Sequence, residues 1–205
     1  MEAPRYEIIT LIKPGDALGE VKEIYEDIVR TKGSRWLTPY WGFFAHRPKI
    51  LKLWWELTKT LQIEEGKVPK SLMEGISLVC AVGVGCPRCI NNHQIVLIEK
   101  FGFSEERVEQ IKNLEQSDLP EKEKVALIFA KKVAFGQELD DEEFTKMREL
   151  GYGDEEIVEI VSMAIIESGA ARHGAILARF EDVLEWPPHN TPSEFYSKYV
   201  PNKGK

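Results

Sequence analysis

Cysteine is scarce in this chain. There are three in 205 residues, and two of them, Cys86 and Cys89, sit three positions apart. So few exclude the disulfide-dense framework that holds small secreted domains together. Basic residues are also in deficit: 27 Lys and Arg against 34 Asp and Glu leave a net charge of −7. No basic stripe is present to neutralise phosphates, so no nucleic-acid partner is expected. Long apolar runs are missing as well. The longest uncharged stretch, Gly75 to Pro87, is interrupted by three glycines. It falls short of the ~20 residues a membrane helix needs, so no membrane partner is expected. The opening Met1-Glu2-Ala3-Pro4-Arg5 lacks the basic-then-apolar order of a secretory signal, and a cytoplasmic location is the expectation. Thiols stay reduced there, so a closely spaced cysteine pair points to catalysis or metal binding rather than to a structural staple.

Strand-type alternation is nearly absent, and helical periodicity takes its place. With 43% hydrophobic and 30% charged residues, the composition is that of a globular protein, read as one domain over residues 1–205. Leu18, Val21, Ile24, Tyr25 and Ile28 form one apolar face. Ile50, Leu53, Trp54, Leu57 and Leu61 form another, after Pro48 at a first helical position. Pro69 opens a third helix that runs to about Val84, where Gly83 and Gly85 break it. Cys86 and Pro87 start the next, which ends near Phe101-Gly102.

Further on, Ser104 caps a helix to about Leu114, Pro120 opens one to about Phe135, and Asp140 or Asp141 caps another to Leu150. Asp154 starts the last long pattern, through Ile157, Ile160, Val161, Ala164 and Ile165. Gly169 and Gly174 are read as flanking a change of segment before Ala175–Leu184. The tail from about 186 to 205, beginning Trp186-Pro187-Pro188, reads as extended. Phe101-Gly102-Phe103-Ser104 faintly echoes Leu150-Gly151-Tyr152-Gly153, with Ile111 and Ile160 at the same offset. That pattern fits either a duplicated unit or two similar helix starts.

The chemistry gathers in one place. Glu74 lies 12 residues before Cys86, and Cys86-Pro87-Arg88-Cys89 is followed by His93. Proline at the first helical position puts Cys86 at or next to the N-cap, where free N–H groups and the helix dipole stabilise a thiolate. Arg88 adds positive charge. Cys89 and His93, four apart, share a helix face, so His93 can take the Cys89 proton. The dipole thus favours Cys86 as the activated thiol and the histidine favours Cys89. Glu74, on the preceding helix, reaches His93 only if the two helices fold back through the glycine turn. Cys86, Cys89 and His93 also supply three zinc ligands, one short of a closed structural site, and Cys80 reads as a core residue. No metal and no resident cofactor is expected.

The pattern Glu-x11-Cys-x2-Cys-x3-His across helix, glycine turn and helix resembles the AhpD-like superfamily, the alkylhydroperoxidases related to carboxymuconolactone decarboxylases. The core of the resemblance covers about residues 69–114. Phe43-Phe44-Ala45-His46-Arg47-Pro48 looks like a segment of the peroxidase-related branch, and Glu121–Phe135 with Glu142–Ile165 looks like its C-terminal helices. The resemblance implies an all-α fold with the CxxC at the N-terminus of a helix following a helix–glycine turn. It also implies a homo-oligomer, a trimer or hexamer. The implied activity is antioxidant: hydroperoxide reduction through a dithiol/disulfide cycle, recharged by a lipoamide- or thioredoxin-like dithiol. It assigns Cys89 as peroxidatic, Cys86 as resolving, and Glu74 with His93 as the proton relay. A base one turn away is also a more direct activator than a partial dipole.

One departure stands out. Peroxidatic members often carry a second histidine between the cysteines, and here that position is Arg88, which cannot shuttle a proton at neutral pH. The departure keeps open a general thiol–disulfide oxidoreductase, beside the non-catalytic alternative of a zinc-bound helical scaffold. Lactone decarboxylation is disfavoured, because those relatives lack the cysteine pair.

Three other features bear on function. His46 with Arg47 reads as a helix-terminal cap or a pocket entrance. Arg172-His173 reads as polar groups near an interface. Five tryptophans, Trp36, Trp41, Trp54, Trp55 and Trp186, exceed the needs of a monomer core and suggest an oligomer surface.

Overall fold

A computed structural model of the chain describes residues 10–64 and 66–177. Among them nine α-helices and three short 3-10 turns make the architecture, and no strand occurs. The all-α expectation holds. The tail from 186 lies outside the described residues. None of the described helices is long and apolar enough to cross a membrane. The described residues fall into two compact units, one up to Leu57 and the other from Thr58 onward.

In the first unit, α1 (Gly19–Lys32) buries Val21, Ile24, Tyr25 and Ile28, four of the five residues of the expected face, whereas the fifth, Leu18, precedes the helix as its N-cap and is 81% exposed. The Tyr25 hydroxyl donates to the Ile12 carbonyl at 2.8 Å, which satisfies the one polar atom of a buried ring. The α2 helix (Pro39–Phe44) brings Trp41 edge-on to Trp55, ring centroids 5.5 Å apart. The α3 helix (Pro48–Gln62) differs from expectation. Leu51, Trp55 and Leu61 are buried, whereas Ile50, Leu53 and Leu57 are 45%, 59% and 44% exposed. This helix carries apolar residues on two overlapping stripes, so periodicity alone does not select the inward one. Trp55 selects it: its indole N–H donates to Asp27 on α1 at 2.7 Å. The neighbouring Trp54 instead stacks on Phe44 and donates to the Tyr40 hydroxyl.

The second unit is built around α4 (Lys70–Val84), whose residues from Leu72 to Ala81 are all buried. A helix apolar on every side has to be surrounded, and α9, α5, α7 and α6 pack against it. These are α5 (Pro87–Glu99), α6 (Glu105–Lys112), α7 (Glu121–Phe135) and α9 (Asp154–Leu177), with α8 (Asp141–Glu149) between the last two. The starts fall where the sequence marks them. The Ser104 hydroxyl accepts from the Arg107 N–H, and Asp140 with Glu143 forms a reciprocal capping box. Pro69 and Pro120 stand at the N-caps of α4 and α7. The two echoed segments both lead into helices whose Ile111 and Ile160 are 1% and 0% exposed. On α9, Glu159 accepts from the backbone N–H groups of Lys67 and Val68 at 2.9 and 3.0 Å, pinning the approach to α4.

The α9 helix corrects a second expectation. It runs unbroken from Asp154 to Leu177, straight through Gly169 and Gly174. Glycine in a helix interior costs only ~1 kcal/mol relative to alanine. Burial of Ile160, Met163, Ala164 and Ala171 outweighs that cost, since a fully buried large aliphatic side chain contributes ~1.5–3 kcal/mol.

His173 and Arg172 therefore sit on a helix. Arg172 donates to the Ala134 carbonyl at 3.4 Å. Burial holds the His173 imidazole down to about 4, against 6.5 for a free histidine. An unfolded chain takes up that proton as pH drops below 6.5, and the folded chain does not until near 4. This stability is therefore complete above 6.5 and is lost as pH falls through the range down to 4. Urea midpoints measured at pH 7 and pH 4.5 should fall less for His173→Gln than for the parent chain. An equal fall in both proteins would contradict this account.

Candidate active site

The α4–α5 turn makes the site. Gly85 ends α4 in the left-handed conformation, φ +71°, which a residue with a Cβ rarely adopts. The Gly85 and Cys86 N–H groups both bond back to the Ala81 carbonyl, at 3.0 and 3.1 Å. The chain reverses there, and α5 folds back along α4.

Cys86 is the N-cap of α5, with Pro87 in the first turn; its sulfur accepts from the Cys89 N–H at 3.4 Å. Cys86 and Cys89 are joined as a disulfide, with 5.3 Å between Cα atoms, inside the ordinary range. Cys86 is fully buried and Cys89 is partly exposed. Of the two sulfurs, Cys89 is the one a molecule from solution can reach.

One turn further, the folded-back helix brings His93 to Glu74. Nδ1 and Oε1 are 2.6 Å apart, the short distance of a charge-assisted hydrogen bond, and both side chains are nearly covered. An ionised carboxylate only accepts, so Nδ1 carries the hydrogen and Nε2 is the ring nitrogen that points away from Glu74. Leaving a carboxylate buried without a partner costs several kcal/mol, so the pair holds α4 and α5 in register while it orients the imidazole.

The structure adds Glu167, on α9, which the sequence reading missed. Its Oε2 stands 3.5 Å from His93 Nε2, and its Oε1 accepts from Gln62 Nε2 at 2.6 Å. Glu167 is 7% exposed. A lone acid between Ile166 and the small residues that follow it, in the otherwise uncharged stretch from Ile160 to Ala171, is the signal that marks it. Four residues beyond Glu167, the Ala171 carbonyl lies 4.0 Å from the Cys89 sulfur. A Cβ added to Gly174 would fall 2.7 Å from that sulfur and 3.3 Å from the Cys86 sulfur. Glu167, Ala171 and Gly174, spaced four and three, form the α9 wall of the site.

The other residues singled out in the sequence lie as follows. Arg88 is half-buried on α5. His46 is exposed and its Nε2 donates to the Thr10 carbonyl. Cys80 is buried, its sulfur 3.7 Å from the Ala164 carbonyl. Burial first, and then the Glu167 charge, raise its thiol to about 12, so Cys80 stays protonated. Among the described residues no group of three or more His, Cys, Asp and Glu is placed to hold a metal ion. A cavity of about 390 Å³ lies elsewhere, between Lys67, Pro69, Arg107, Pro120 and Tyr152. Arg107 there is paired with Glu123 at 2.6 Å, and none of the four motif residues lines the cavity.

No family model and no curated protein sequence matches the chain. Solved structures do. An AhpD-core, peroxidase-related protein from Ralstonia eutropha JMP134 is 18% identical, covering 83% of this chain and 88% of its own, with a TM-score of 0.69. A peroxidase-related protein from Silicibacter sp. TM1040 is 19% identical, covering 78% and 83%, at 0.68. The debrominase Bmp8, as a cysteine-to-alanine variant bound to 2,3,4-tribromopyrrole, is 19% identical, covering 84% and 90%, at 0.70. The chain thus has the AhpD-like fold shared by these proteins.

Gly174 gives the site a direct test. Helix propensity alone predicts that Gly174→Ala stabilises the protein by ~1 kcal/mol. The sulfur contact predicts the opposite in the oxidised form. We expect Gly174→Ala to slow Cys86–Cys89 closure about tenfold or more and to lower the melting temperature of the oxidised protein. Thiol titration over time after an oxidant pulse reads the first effect, and closure at the parental rate would contradict the contact.

Proposed function

We propose that the chain is a CxxC-dependent hydroperoxide reductase of the alkylhydroperoxidase type. The observation that carries this reading is the Glu74–His93 pair, one helical turn from the accessible sulfur of a cysteine pair able to close. The fold by itself does not select peroxide, since a debrominase shares it. What supports peroxide here is the set of Glu74, Cys86, Cys89 and His93, which suits a thiol that is deprotonated, oxidised and then resolved.

In the reduced state His93 Nε2 takes the proton of Cys89, with Glu74 stabilising the imidazolium through Nδ1–H. The Cys89 thiolate attacks the distal oxygen of ROOH. The O–O bond breaks, ROH leaves with a proton, and Cys89 becomes a sulfenic acid. Cys86, buried at the N-cap, attacks that sulfur, expelling water and forming the disulfide. A dithiol of the lipoamide or thioredoxin type reduces the disulfide, restoring two thiols and becoming a disulfide itself. The N–H groups of the first turn of α5 stabilise negative charge on Cys86 as leaving group in that step.

A general thiol–disulfide oxidoreductase is the second reading. Arg88 between the cysteines favours it, since arginine lowers a thiol's pKa without relaying its proton.

A cytoplasmic, homo-oligomeric protein, trimeric or hexameric, fits the same picture. On α9, Val158, Ile165 and Ile176 are 63%, 58% and 56% exposed and align along one stripe. Apolar surface of that kind suits contact with further copies of the chain.

Reduced protein treated with one equivalent of an organic hydroperoxide should lose two hydrogens, mapped to a Cys86–Cys89 bond. Cys89→Ser should abolish peroxide consumption, and Cys86→Ser should leave a sulfenic acid that dimedone traps on Cys89. Faster turnover of a model disulfide than of any hydroperoxide would favour the second reading. Equal, partial losses in the two variants would sink the assigned roles. Light scattering should give a mass of several chains, and Ile165→Glu should reduce it.

A further inference from the structure

We propose that Glu167 is a positioning residue that keeps the proton taken from Cys89 on His93 Nε2, aimed for delivery to the departing alkoxide. The proposal rests on the peroxidase reading and goes beyond it, adding a second carboxylate to the relay.

The geometry is that of an imidazole held between two acids. Glu74 of α4 meets Nδ1 at 2.6 Å, and Glu167 of α9 faces Nε2 at 3.5 Å. The second distance is long for a hydrogen bond but well inside ion-pair range. Nε2 is therefore not locked to Glu167 and remains able to exchange a proton with a neighbour. Gln62 donates its amide to the other Glu167 oxygen, at 2.6 Å, which fixes the rotation of the carboxylate with Oε2 towards His93. Other charged and titratable groups stand nearby: the two thiols on α5, the protonated Cys80 of α4, and Arg172 of α9.

A proton on Nε2 faces the Glu167 carboxylate, while Nδ1 faces that of Glu74. Once His93 holds the Cys89 proton, Glu167 hinders its escape to solvent. The balance of the step then closes within the site. Cys89–SH gives its proton to Nε2, and the thiolate forms a bond to the distal peroxide oxygen as the O–O bond breaks. Nε2–H then protonates RO⁻. Alkoxides are poor leaving groups and need that proton, whereas the carboxylate released from a peracid does not.

Leaving groups therefore separate this role from a structural one. Single-turnover oxidation of the reduced protein would be followed with tert-butyl hydroperoxide and with peracetic acid. The pH would be one at which absorbance at 240 nm shows Cys89 to be thiolate in both proteins. Glu167→Gln keeps the size of the side chain and removes its charge. We expect it to slow the alkyl hydroperoxide reaction about tenfold or more, at the low end of what a positioned acid contributes, and the peracid reaction less than about threefold. Gln62→Ala, which leaves the carboxylate in place but frees its rotation, should give the same selective loss at smaller size. It carries the test if Glu167→Gln fails to fold. Equal losses with both oxidants, or no loss with either, would overturn the proposal. A parent chain that reacts with the peracid but not with the hydroperoxide, or with neither, would overturn the peroxidase reading first and this proposal with it.

Discussion

The short contact between Glu74 and His93 is the constraint on which the site depends. It joins two helices that the chain reverses between, and it lies where water barely reaches. A carboxylate and an imidazole so placed have to satisfy each other, because either one alone would carry a desolvation cost of several kcal/mol. The bond therefore positions α5 on α4 and orients the imidazole with the same interaction. Folding and the chemistry proposed here draw on one pair of side chains.

The α9 helix completes the arrangement by what it lacks as much as by what it carries. Its inner face offers a carboxylate, then the small residues Ala171 and Gly174, and these let the helix come close enough to touch both sulfurs. A larger side chain at 174 would stand in the space that the disulfide fills. The same helix is apolar outside as well as inside, with Val158, Ile165 and Ile176 exposed. It therefore faces both the thiols of its own chain and, in the assembly proposed here, other copies.

Much of the molecule was legible in the sequence. The caps at Ser104 and Asp140, the prolines at 69 and 120 and the glycine at 85 mark helix ends by local chemistry, and the observed ends agree. Cys86 at the N-cap and the His93–Cys89 spacing follow from the same local rules. The inward face of α3 was not legible, because two apolar stripes compete on it and a contact with Asp27, distant in sequence, decides between them. Nor was the continuity of α9. Glycine reads locally as a breaker, and only packing against α4 and α7 shows that this helix tolerates two.

Sequence by itself determined the all-helical class, the helix ends and the grouping of two thiols, a histidine and a glutamate around one turn. All of these are set by neighbours within a few residues. Tertiary structure decided that Glu74 and His93 meet. It brought Glu167 and Gln62 to the far side of the ring, packed Gly174 against the sulfurs and buried Cys86 while exposing Cys89. Each of those joins residues far apart in the chain, and spacing in one dimension holds no information about which faces close upon each other in three.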